Sequence, residues 1–455
     1  MLNKVWSRGG AVVAAAGFLV LSGCFGGGIG HALTPPSDNT AYTRLELMNP
    51  LLIPRKQEVV VIPLSEVRES YQSFDPEDFS VHLFDTTLYP HGDPLLATNP
   101  PPEVPSQLSD RSLDGELDTL LLLLDFEAGE KQFIAVCSPR FSVRTPRPEA
   151  AVVGGLMRRS VIRDDGTKVT GEGAFTLTQV EVVPHLHTAG DGLYFLDGVV
   201  MESEETAFLL SLDERLSLDV VGKRRPGFQL MAMASYEEDL QRAQPWGARL
   251  IGAESVFGAG ALACVLEDVI VPLGPANSIQ YRLISSGPVA AEVEILLNGV
   301  RLGEDRFDVK WNILHYAGSN FLVHRARVSD TGHALAFAVA NDGRLGHNQA
   351  SDRTGWMRTM SFGPRNVAAA AGGSLGLGIL SRGGQCLGHA KALNIHGVRF
   401  NPMVKEFSWV SLASWSEQAD GPSTLEEFRA AFEEQIRALN NPVRARNIDF
   451  RSGRS

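Results

Sequence analysis

The chain has 455 residues and carries 53 acidic against 41 basic side chains, a formal net charge of −12. Because no lysine-rich or arginine-rich stripe interrupts this acidic balance, nucleic acid and anionic lipid head groups are poor partners. The length exceeds one ordinary hydrophobic core, so we expect a large domain or two packed β domains.

The N-terminus has the pattern of a bacterial lipoprotein signal peptide. Lys4 and Arg8 precede an uncharged apolar run at 11–21, which is shorter than the about 20 residues that a membrane-spanning helix needs. The run ends in Leu-Ser-Gly before Cys24, a pattern similar to the lipobox of bacterial lipoproteins. We therefore expect cleavage before Cys24 and a lipid on its thiol. The alternative is an ordinary secretory signal followed by a chance cysteine.

The segment after this cysteine indicates a flexible tether and a subcellular location. Residues 24–40 are rich in glycine and proline and lack apolar periodicity, which is typical of a flexible linker. Phe25 stands where an aspartate would favour retention in the inner membrane. We therefore expect a lipid-anchored protein of the cell envelope, on the periplasmic face of the outer membrane if the host is Gram-negative.

Strand signals dominate the body of the chain. A β-branched run covers 58–64, and a uniformly apolar run at 120–126 predicts a strand buried on both faces. Glu127–Glu130 has the composition of a turn, so we expect it to join that strand to 132–136 in a hairpin.

Two further patterns are typical of an antiparallel sheet. Asn298–Gly299 has the residues that tolerate the positive φ of a two-residue type I′ turn, so a hairpin is expected there. Apolar and polar residues alternate from Phe307 to Ile313, which predicts a strand with one buried face.

One helix is predicted near the C-terminus. Ser423 and Glu426 match a capping box, an apolar face follows, and Pro442 ends the helix. The predicted fold is mainly β, a large supersandwich-like antiparallel β-sandwich with a C-terminal helix. The expected organisation is a signal peptide at 1–23, a tether at 24–40, an N-terminal β region at 41–150, a main β-sandwich at 151–420, and a helix with a tail at 421–455.

Three cysteines follow the lipidation site. Cys137, Cys264 and Cys386 match no metal or redox motif. An oxidising periplasm permits one disulfide, and the sequence does not choose among the three pairings. Their apolar neighbourhoods favour small buried core residues instead.

An acidic segment before the strand at 120–126 has the spacing of oxygen ligands. Asp110, Ser112, Asp114 and Asp118 follow the pattern D-x-S-x-D-G-x-x-D, which would suit Ca²⁺. The bidentate glutamate of an EF-hand is missing from this segment. Calcium is therefore one interpretation, and an acidic turn is the other.

Side chains able to bind a sugar or to move a proton occur at several places from residue 185 onward. His185 and His187 lie two residues apart, so a strand would place them on one face, suited to a metal or a base. Sugar lyases and hydrolases use such groups to neutralise a uronate and transfer a proton. For each one, an ordinary loop or core position is the alternative. The candidate catalytic or sugar-binding residues are His185, His187, Tyr236, His315, Tyr316, His347 and Arg353.

Two groups of short motifs resemble a bacterial protein family. The first comprises Asp110–Asp118 and Leu121–Glu130. The second comprises Glu202–Glu204, Leu212–Arg215 and Asp219–Lys223. On these residues the chain is similar to the domain-of-unknown-function family 4861 (DUF4861), as a divergent member.

This resemblance implies a context of glycan handling. Members of the family are secreted or lipid-anchored, and many occur among genes for polysaccharide breakdown, so acidic or other plant and algal glycans are implied. The chain departs from the family where Met201 replaces a tryptophan, where Glu237 follows Tyr236 in place of a histidine, and at Pro245 and Arg249, which replace two aspartates. These losses favour a protein with reduced catalytic capacity.

Two functions follow from the sequence. The first is a membrane-anchored periplasmic lipoprotein that binds or helps to process carbohydrate, non-catalytic or degenerate. The second is a polysaccharide lyase or glycoside hydrolase that acts on uronate-containing oligosaccharides. Both take an oligosaccharide as ligand, and neither involves nucleic acid.

Overall fold

The computed structural model describes residues 42–84, 102–112, 114–137, 152–164, 168–234, 240, 243–251, 257–329, 334–340, 346–351, 355–364, 372–392 and 395–448. All of these residues belong to one compact unit, 40–455. None of the described helices is long and apolar enough to cross a membrane.

The described residues are mainly β-strands, which confirms the predicted fold class. The helices are α1 Leu64–Arg68, α2 Leu230–Met233 and α3 Leu425–Asn440. The strands are β1 Tyr42–Met48, β2 Arg55–Pro63, β3 Ser80–Phe84, β4 Ser106–Ser109, β5 Thr119–Phe126, β6 Lys131–Cys137, β7 Val152–Asp164, β8 Lys168–Thr178, β9 Val180–Val182, β10 Tyr194–Ser203, β11 Thr206–Ser211, β12 Leu218–Lys223, β13 Gly247–Arg249, β14 Ala259–Leu266, β15 Val269–Pro272, β16 Ser278–Ser285, β17 Ala290–Leu302, β18 Asp305–Tyr316, β19 Phe321–Val328, β20 Ala334–Ala340, β21 Gly346–Ser351, β22 Trp356–Pro364, β23 Ser374–Arg382, β24 Cys386–Ala392, β25 Ile395–Phe400, β26 Glu406–Trp415 and β27 Arg444–Asn447.

The largest sheet in the described part of the chain has nine antiparallel strands in the order β21-β22-β23-β26-β19-β18-β17-β16-β9. A six-stranded sheet (β13-β12-β11-β10-β7-β8) and a five-stranded sheet (β15-β14-β20-β25-β24) pack against its inner face. The core between them draws apolar side chains from all three sheets, among them Leu210, Phe337 and Trp311. Alternate residues of each strand reach this core, and the remaining ones face outward.

The N-terminal region forms a smaller sandwich. A sheet in the order β27-β1-β6-β3 packs on a sheet in the order β2-β5-β4, and Leu45, Ile62 and Ile134 contribute to the core between them. Strand β27 follows α3 and pairs with β1, with Asn447 opposite Leu45. The C-terminal segment therefore completes the N-terminal sheet.

Two elements cover the outer face of the nine-stranded sheet. Leu121 of β5 packs against Leu314 and Tyr316 of β18. Farther along the same face, Phe428 and Phe432 of α3 pack over β22, β23 and β26. The sheet between these two covers is the floor of the site described below.

The strand predicted to be buried on both faces is confirmed, but its predicted hairpin is wrong. Strand β5 lies between β2 and β4, and it is buried almost throughout. The turn at Glu127–Glu130 leads into β6, which belongs to the opposite sheet of the small sandwich and pairs with β1 and β3. The turn reverses the chain direction, but tertiary packing determines which strands β6 pairs with.

The predicted hairpin at Asn298–Gly299 is also wrong. Strand β17 continues through these residues to Leu302, with a register shift opposite β18, and the reversal follows at Gly303. Gly299 has a φ of 63° and its N–H donates to the Asp308 carboxylate at 2.7 Å. Because a glycine with positive φ serves a bulge as well as a turn, the dipeptide does not distinguish the two.

The C-terminal helix is confirmed with a different cap. Thr424 is the N-cap, and its hydroxyl and the side chain of Glu427 make the reciprocal bonds of a capping box. Both Ser423 and Thr424 have a glutamate three residues later. Packing of Phe428 and Phe432 against the sheet selects the second register.

The cysteines lie in apolar surroundings. Cys137 and Cys264 are buried, and Cys386 is half-buried. Within the described residues no disulfide joins them.

Candidate functional site

Polar side chains gather on the outer face of the nine-stranded sheet. Glu292 and Glu294 of β17, Asn312 of β18 and Arg325 of β19 alternate with residues that point into the core. Glu294, Asn312 and Arg325 are neighbours across the three strands. Because residues two apart share one face of a strand, the four side chains form one patch.

Two cavities open beside this patch. The smaller, of about 180 Å³, is lined by both glutamates, by Asn312 and by Asp110 from the small sandwich. The larger, of about 650 Å³, is lined by Arg111, Arg325 and Tyr316, by part of β2 and by the end of α3. The two cavities share no lining residue, but Asp110 and Arg111 are adjacent in the chain, so one segment borders both of them. We call the two cavities together the sheet-face cleft.

The two glutamates of β17 have opposite surroundings. Glu294 contacts Arg282 at 2.8 Å and Lys310 at 2.9 Å, so its charge is matched twice. Among the described residues, the hydrogen bonds to the Glu292 carboxylate are long, 3.4 Å from Asn312 Nδ2 and 3.5 Å from the hydroxyl of Ser109. Bonds of this length are weak, which leaves the Glu292 oxygens able to accept from a ligand.

Glu292 is suited to proton transfer. Burial raises the pKa of its carboxyl to about 7, against the lowering effects of the Arg325 charge and the Asn312 hydrogen bond. At neutral pH such a group exists in both protonation states, which is the condition for general acid–base chemistry. Two carboxyls on one strand whose environments differ in this way often mark a functional site.

Tyr316 and two arginines complete the cleft. Burial raises the pKa of Tyr316, so its hydroxyl remains protonated at neutral pH. Arg325 Nη1 donates to the backbone carbonyl of Arg111, which ties β19 to the small sandwich. The charges of both arginines lower the pKa of Glu292, so both guanidinium groups lie near its carboxyl. Guanidinium groups bind carboxylates in bidentate geometry, so the cleft combines a titratable carboxyl, a phenol and an anion-binding pair.

Glu202 and Lys223, from the family-like motifs, form a buried ion pair in the six-stranded sheet. Their side chains meet at 2.7 Å and are 0% and 1% exposed. Glu202 also accepts from the backbone N–H groups of Gln229 and Leu230, and Lys223 donates to the carbonyl of Ser203 at 2.6 Å. Buried charges persist when each is paired and hydrogen-bonded, so this pair has a structural role.

The same motif supports a turn that borders the cleft. The Ser203 hydroxyl donates to the carbonyl of Ser319 at 2.7 Å, and His315 Nε2 lies 3.2 Å from that oxygen. Residues 316–320 join β18 to β19 and line the larger cavity. Ser203 therefore connects the six-stranded sheet to the wall of the cleft.

The departures from the family pattern that the structure describes lie outside the cleft. Met201 is buried in the core between the sheets, and Arg249 forms an ion pair with Asp219. Neither residue lines the cavities of the cleft. Tyr236 and Glu237 lie outside the described residues. The substitutions at 201 and 249 therefore remove no group from the cleft.

The structure separates the candidate side chains that it describes. Tyr316 lines the cleft. His315 points to the other side of β18, fully buried, and burial lowers its pKa to about 4. His185 and His187 lie after β9 and line the same cavity, which shares no lining residue with the cleft. His187 Nδ1 is 2.7 Å from Asp191.

Four predicted sites have no described side chain. Tyr236 and Arg353 lie outside the described residues, as does the lipidation site Cys24. His347 belongs to the edge strand β21, for which the backbone is described. These assignments stay predictions.

The acidic loop at 110–118 uses its carboxylates on its own backbone. Asp118 accepts from the N–H groups of Arg111 and Ser112 at 2.9 and 2.8 Å, and Asp110 accepts from Gly115 at 2.7 Å. Burial raises the pKa of Asp118, but hydrogen bonds outweigh it and hold that pKa below its usual range. Among the described residues, no three His, Cys, Asp or Glu side chains gather in a metal-binding group. These hydrogen bonds are those of an acidic turn, and the calcium assignment stays a prediction.

Sequence reasoning missed Glu292, Asn312 and Arg325. Each stands in a strand at an alternating position, a pattern that an ordinary solvent-exposed face also shows. The available signal was that three successive strand segments carry charged or amide side chains at such positions, at 292–294, 310–312 and 325–327. Only strand pairing shows that they face one another.

Fold and cleft together define a mainly β, multi-sheet antiparallel protein with a polar cleft on the outer face of its largest sheet. The chain belongs to the family described as Domain of unknown function (DUF4861), whose model matches residues 47–445. No curated protein matches the chain.

Three solved structures are similar to the chain at low identity. A glycosyl hydrolase family 38 protein from Enterococcus faecalis has a TM-score of 0.45 and 11% identity, covering 90% of this chain and 48% of that one. An alpha-mannosidase from Enterococcus faecalis V583 has a TM-score of 0.44 and 11% identity, covering 90% and 47%. A putative aldose 1-epimerase from Klebsiella pneumoniae has a TM-score of 0.29 and 10% identity, covering 64% and 97%. This chain spans about half the length of the first two structures.

Proposed function

We propose that this protein binds a uronate-containing oligosaccharide in the sheet-face cleft and cleaves it by β-elimination, with Glu292 as the base. The observation that carries the proposal is the buried Glu292 carboxyl, whose pKa is raised to about 7 and whose hydrogen bonds are long. Such a group holds or releases a proton at neutral pH and has room to contact a ligand.

The neighbouring residues supply the other requirements of this reaction. Arg111 and Arg325 would bind the uronate carboxylate and withdraw charge from the carbon next to it. The Glu292 carboxylate takes the proton from that carbon, the electron pair forms a C=C bond, and the adjacent C–O bond breaks. The Tyr316 hydroxyl gives its proton to the leaving oxygen, and exchange with water restores both residues.

The proposed setting of this reaction is the cell envelope. It is supported by the lipobox-like sequence before Cys24 and by the glycine- and proline-rich residues that follow. A lipid on Cys24 would hold the folded body near a membrane, where it meets oligosaccharides that diffuse past. Replacing Cys24 with serine should abolish incorporation of labelled fatty acid.

The test is incubation of the purified protein with a panel of uronate glycans. We expect ultraviolet absorbance from the new unsaturated bond, and a loss of at least about 100-fold in rate for Glu292→Gln. Glu406→Gln is the matched control, because Glu406 is an exposed strand glutamate paired with Arg327 and lies outside the cleft.

The same experiment separates the two candidate functions. Turnover that persists in Glu292→Gln would contradict the proposed base. Saturable glycan binding without new absorbance, in the wild type and in both variants, would favour the non-catalytic carbohydrate-binding function.

A further inference from the structure

A second hollow surrounds residues 183–185, directly after β9. It consists of a cavity of about 690 Å³ and one of about 550 Å³, which share the lining residues Val183, Pro184, His185, Asn277 and Ser278. Neither cavity shares a lining residue with the sheet-face cleft. Volumes of this size accommodate small ligands. We call this pair of cavities the β9 hollow.

A buried histidine, held by an aspartate, lines the smaller cavity of the hollow. His187 Nδ1 lies 2.7 Å from Asp191 Oδ2, and both side chains are 1% exposed. The Asp191 carboxylate also accepts from the backbone N–H groups of Thr188 and Leu193. Tyr194 packs edge-on against the His187 ring at 4.8 Å. The imidazole is therefore held in one orientation, with the proton on Nδ1.

The other ring nitrogen of His187 is left without a donor. Its Nε2 is buried and has no hydrogen-bond partner among the described residues. With the proton on Nδ1, Nε2 of the neutral ring is an acceptor. A buried acceptor that lacks a donor is rare in folded proteins and indicates a ligand or an ordered water.

The surroundings favour an uncharged ligand. Asp213 is already bound to Arg215, whose Nε donates to its carboxylate at 2.9 Å, and Glu181 is paired with Arg158 at 3.3 Å. Apolar atoms of Val183 and other residues provide the remaining wall. Glu214, an exposed carboxylate that also lines the hollow, disfavours an anion. The matched charges offer an ion little, whereas a hydroxyl satisfies Nε2 without adding charge.

We propose that the β9 hollow binds a neutral polyhydroxylated molecule of about the size of one sugar ring, with one of its hydroxyls donating to His187 Nε2. This site is separate from the cleft at Glu292, and it takes a neutral ligand where the cleft takes an anionic one. The protein would therefore hold two saccharide units of different charge at two places.

The test is calorimetric titration of the full-length protein with glucose, galactose, mannose and xylose. We expect saturable binding of at least one of them, together with a shift of the His187 Nε2 resonance in protein with ¹⁵N-labelled histidine. Ala189 is exposed and lines the smaller cavity, so Ala189→Trp should block the hollow without disturbing the buried pair and weaken binding at least about tenfold. The matched control is Ala128→Trp, at an exposed alanine that lines none of the four cavities.

A second variant tests the nitrogen itself. His187→Phe keeps the ring volume beside Tyr194 and removes Nε2, so it should lose sugar binding even where the fold, checked by circular dichroism, is kept. Unchanged affinity in Ala189→Trp, an Nε2 resonance that does not move, or no saturable binding of any of the four sugars would overturn the proposal. Glu292→Gln should leave this binding intact, so failure of the proposed lyase would not mimic failure of this site.

Discussion

Glu202 and Glu292 are both buried carboxylates on strands of the same protein, and their surroundings give them different roles. Glu202 contacts Lys223 at 2.7 Å and accepts from two backbone N–H groups. The hydrogen bonds to Glu292 from described residues are 3.4 Å or longer. Burial therefore does not distinguish the two carboxylates, whereas the completeness of their hydrogen bonding does.

The two regions also differ in position. Glu202 is fully buried on the face of the six-stranded sheet that α2 covers, while Glu292 lies on the outer face of the nine-stranded sheet beside a cavity. The Ser203 hydroxyl links them, because it bonds the turn that lines the cleft. The motif shared with the family supports this wall, and Glu292, the group proposed for proton transfer, belongs to a different strand, β17.

The largest expected effect tests the structural region. Lys223→Met removes the partner of Glu202 and leaves a buried charge unpaired, so we expect the free energy of unfolding to fall by about 3–5 kcal/mol. Urea denaturation measures it. The double variant Lys223→Met with Glu202→Leu should recover part of the loss, because no charge then remains buried, while the N–H groups of Gln229 and Leu230 lose their acceptor. If Lys223→Met were as stable as the wild type, Glu202 would not depend on its ion pair, and its contrast with Glu292 would fail.

The next effect tests Glu292 through its pH dependence. Its pKa is raised from 4.5 to about 7 in the folded state, so the folded protein favours the protonated carboxyl and loses stability as the pH rises through that window. Glu292→Gln stays neutral. It should therefore be more stable than the wild type by about 3 kcal/mol at pH 8 and show no such gain at pH 4.

Urea denaturation at the two pH values checks this sign. The exposed Glu406→Gln variant should show no comparable change between them. A stability difference for Glu292→Gln that is equal at both pH values would mean that the carboxyl is not perturbed by burial.

A smaller effect tests the link between the two regions. Ser203→Ala leaves the Ser319 carbonyl without its 2.7 Å hydrogen bond, which should cost about 1–3 kcal/mol of stability and weaken glycan binding in the cleft. Ser211 accepts from the Ser217 N–H within the six-stranded sheet, so Ser211→Ala should lower stability without changing affinity. Equal affinities for both variants would show that the link does not position the cleft.

The smallest effect tests which residue caps α3. Thr424→Ala removes the hydroxyl that accepts from Glu427 N–H at 3.2 Å, so we expect a loss of about 1 kcal/mol in thermal or urea unfolding. Ser423→Ala should change stability by much less. A larger loss of stability for Ser423→Ala than for Thr424→Ala would support the cap predicted from the sequence, Ser423 with Glu426.

Much of the fold was predictable, and little of the candidate site was. The β-rich class, the buried strand at Thr119–Phe126 and the C-terminal helix followed from periodicity and capping. Of the residues predicted for the site, Tyr316 lines the cleft. Its neighbour His315 could also transfer a proton, but its side chain lies on the opposite face of the strand. Period-two alternation does not indicate which face binds a ligand.

The sequence by itself determined which segments become strands and which becomes a long helix, because these depend on side-chain patterns within a few residues. The tertiary structure alone decided that β5 and β6 enter different sheets and that Asn298–Gly299 forms a bulge. It also decided that Glu292 and Arg325 share one cleft. These outcomes depend on strand pairing between residues far apart in the chain, and on burial, which shifts the chemistry of a carboxyl only once its neighbours are in place.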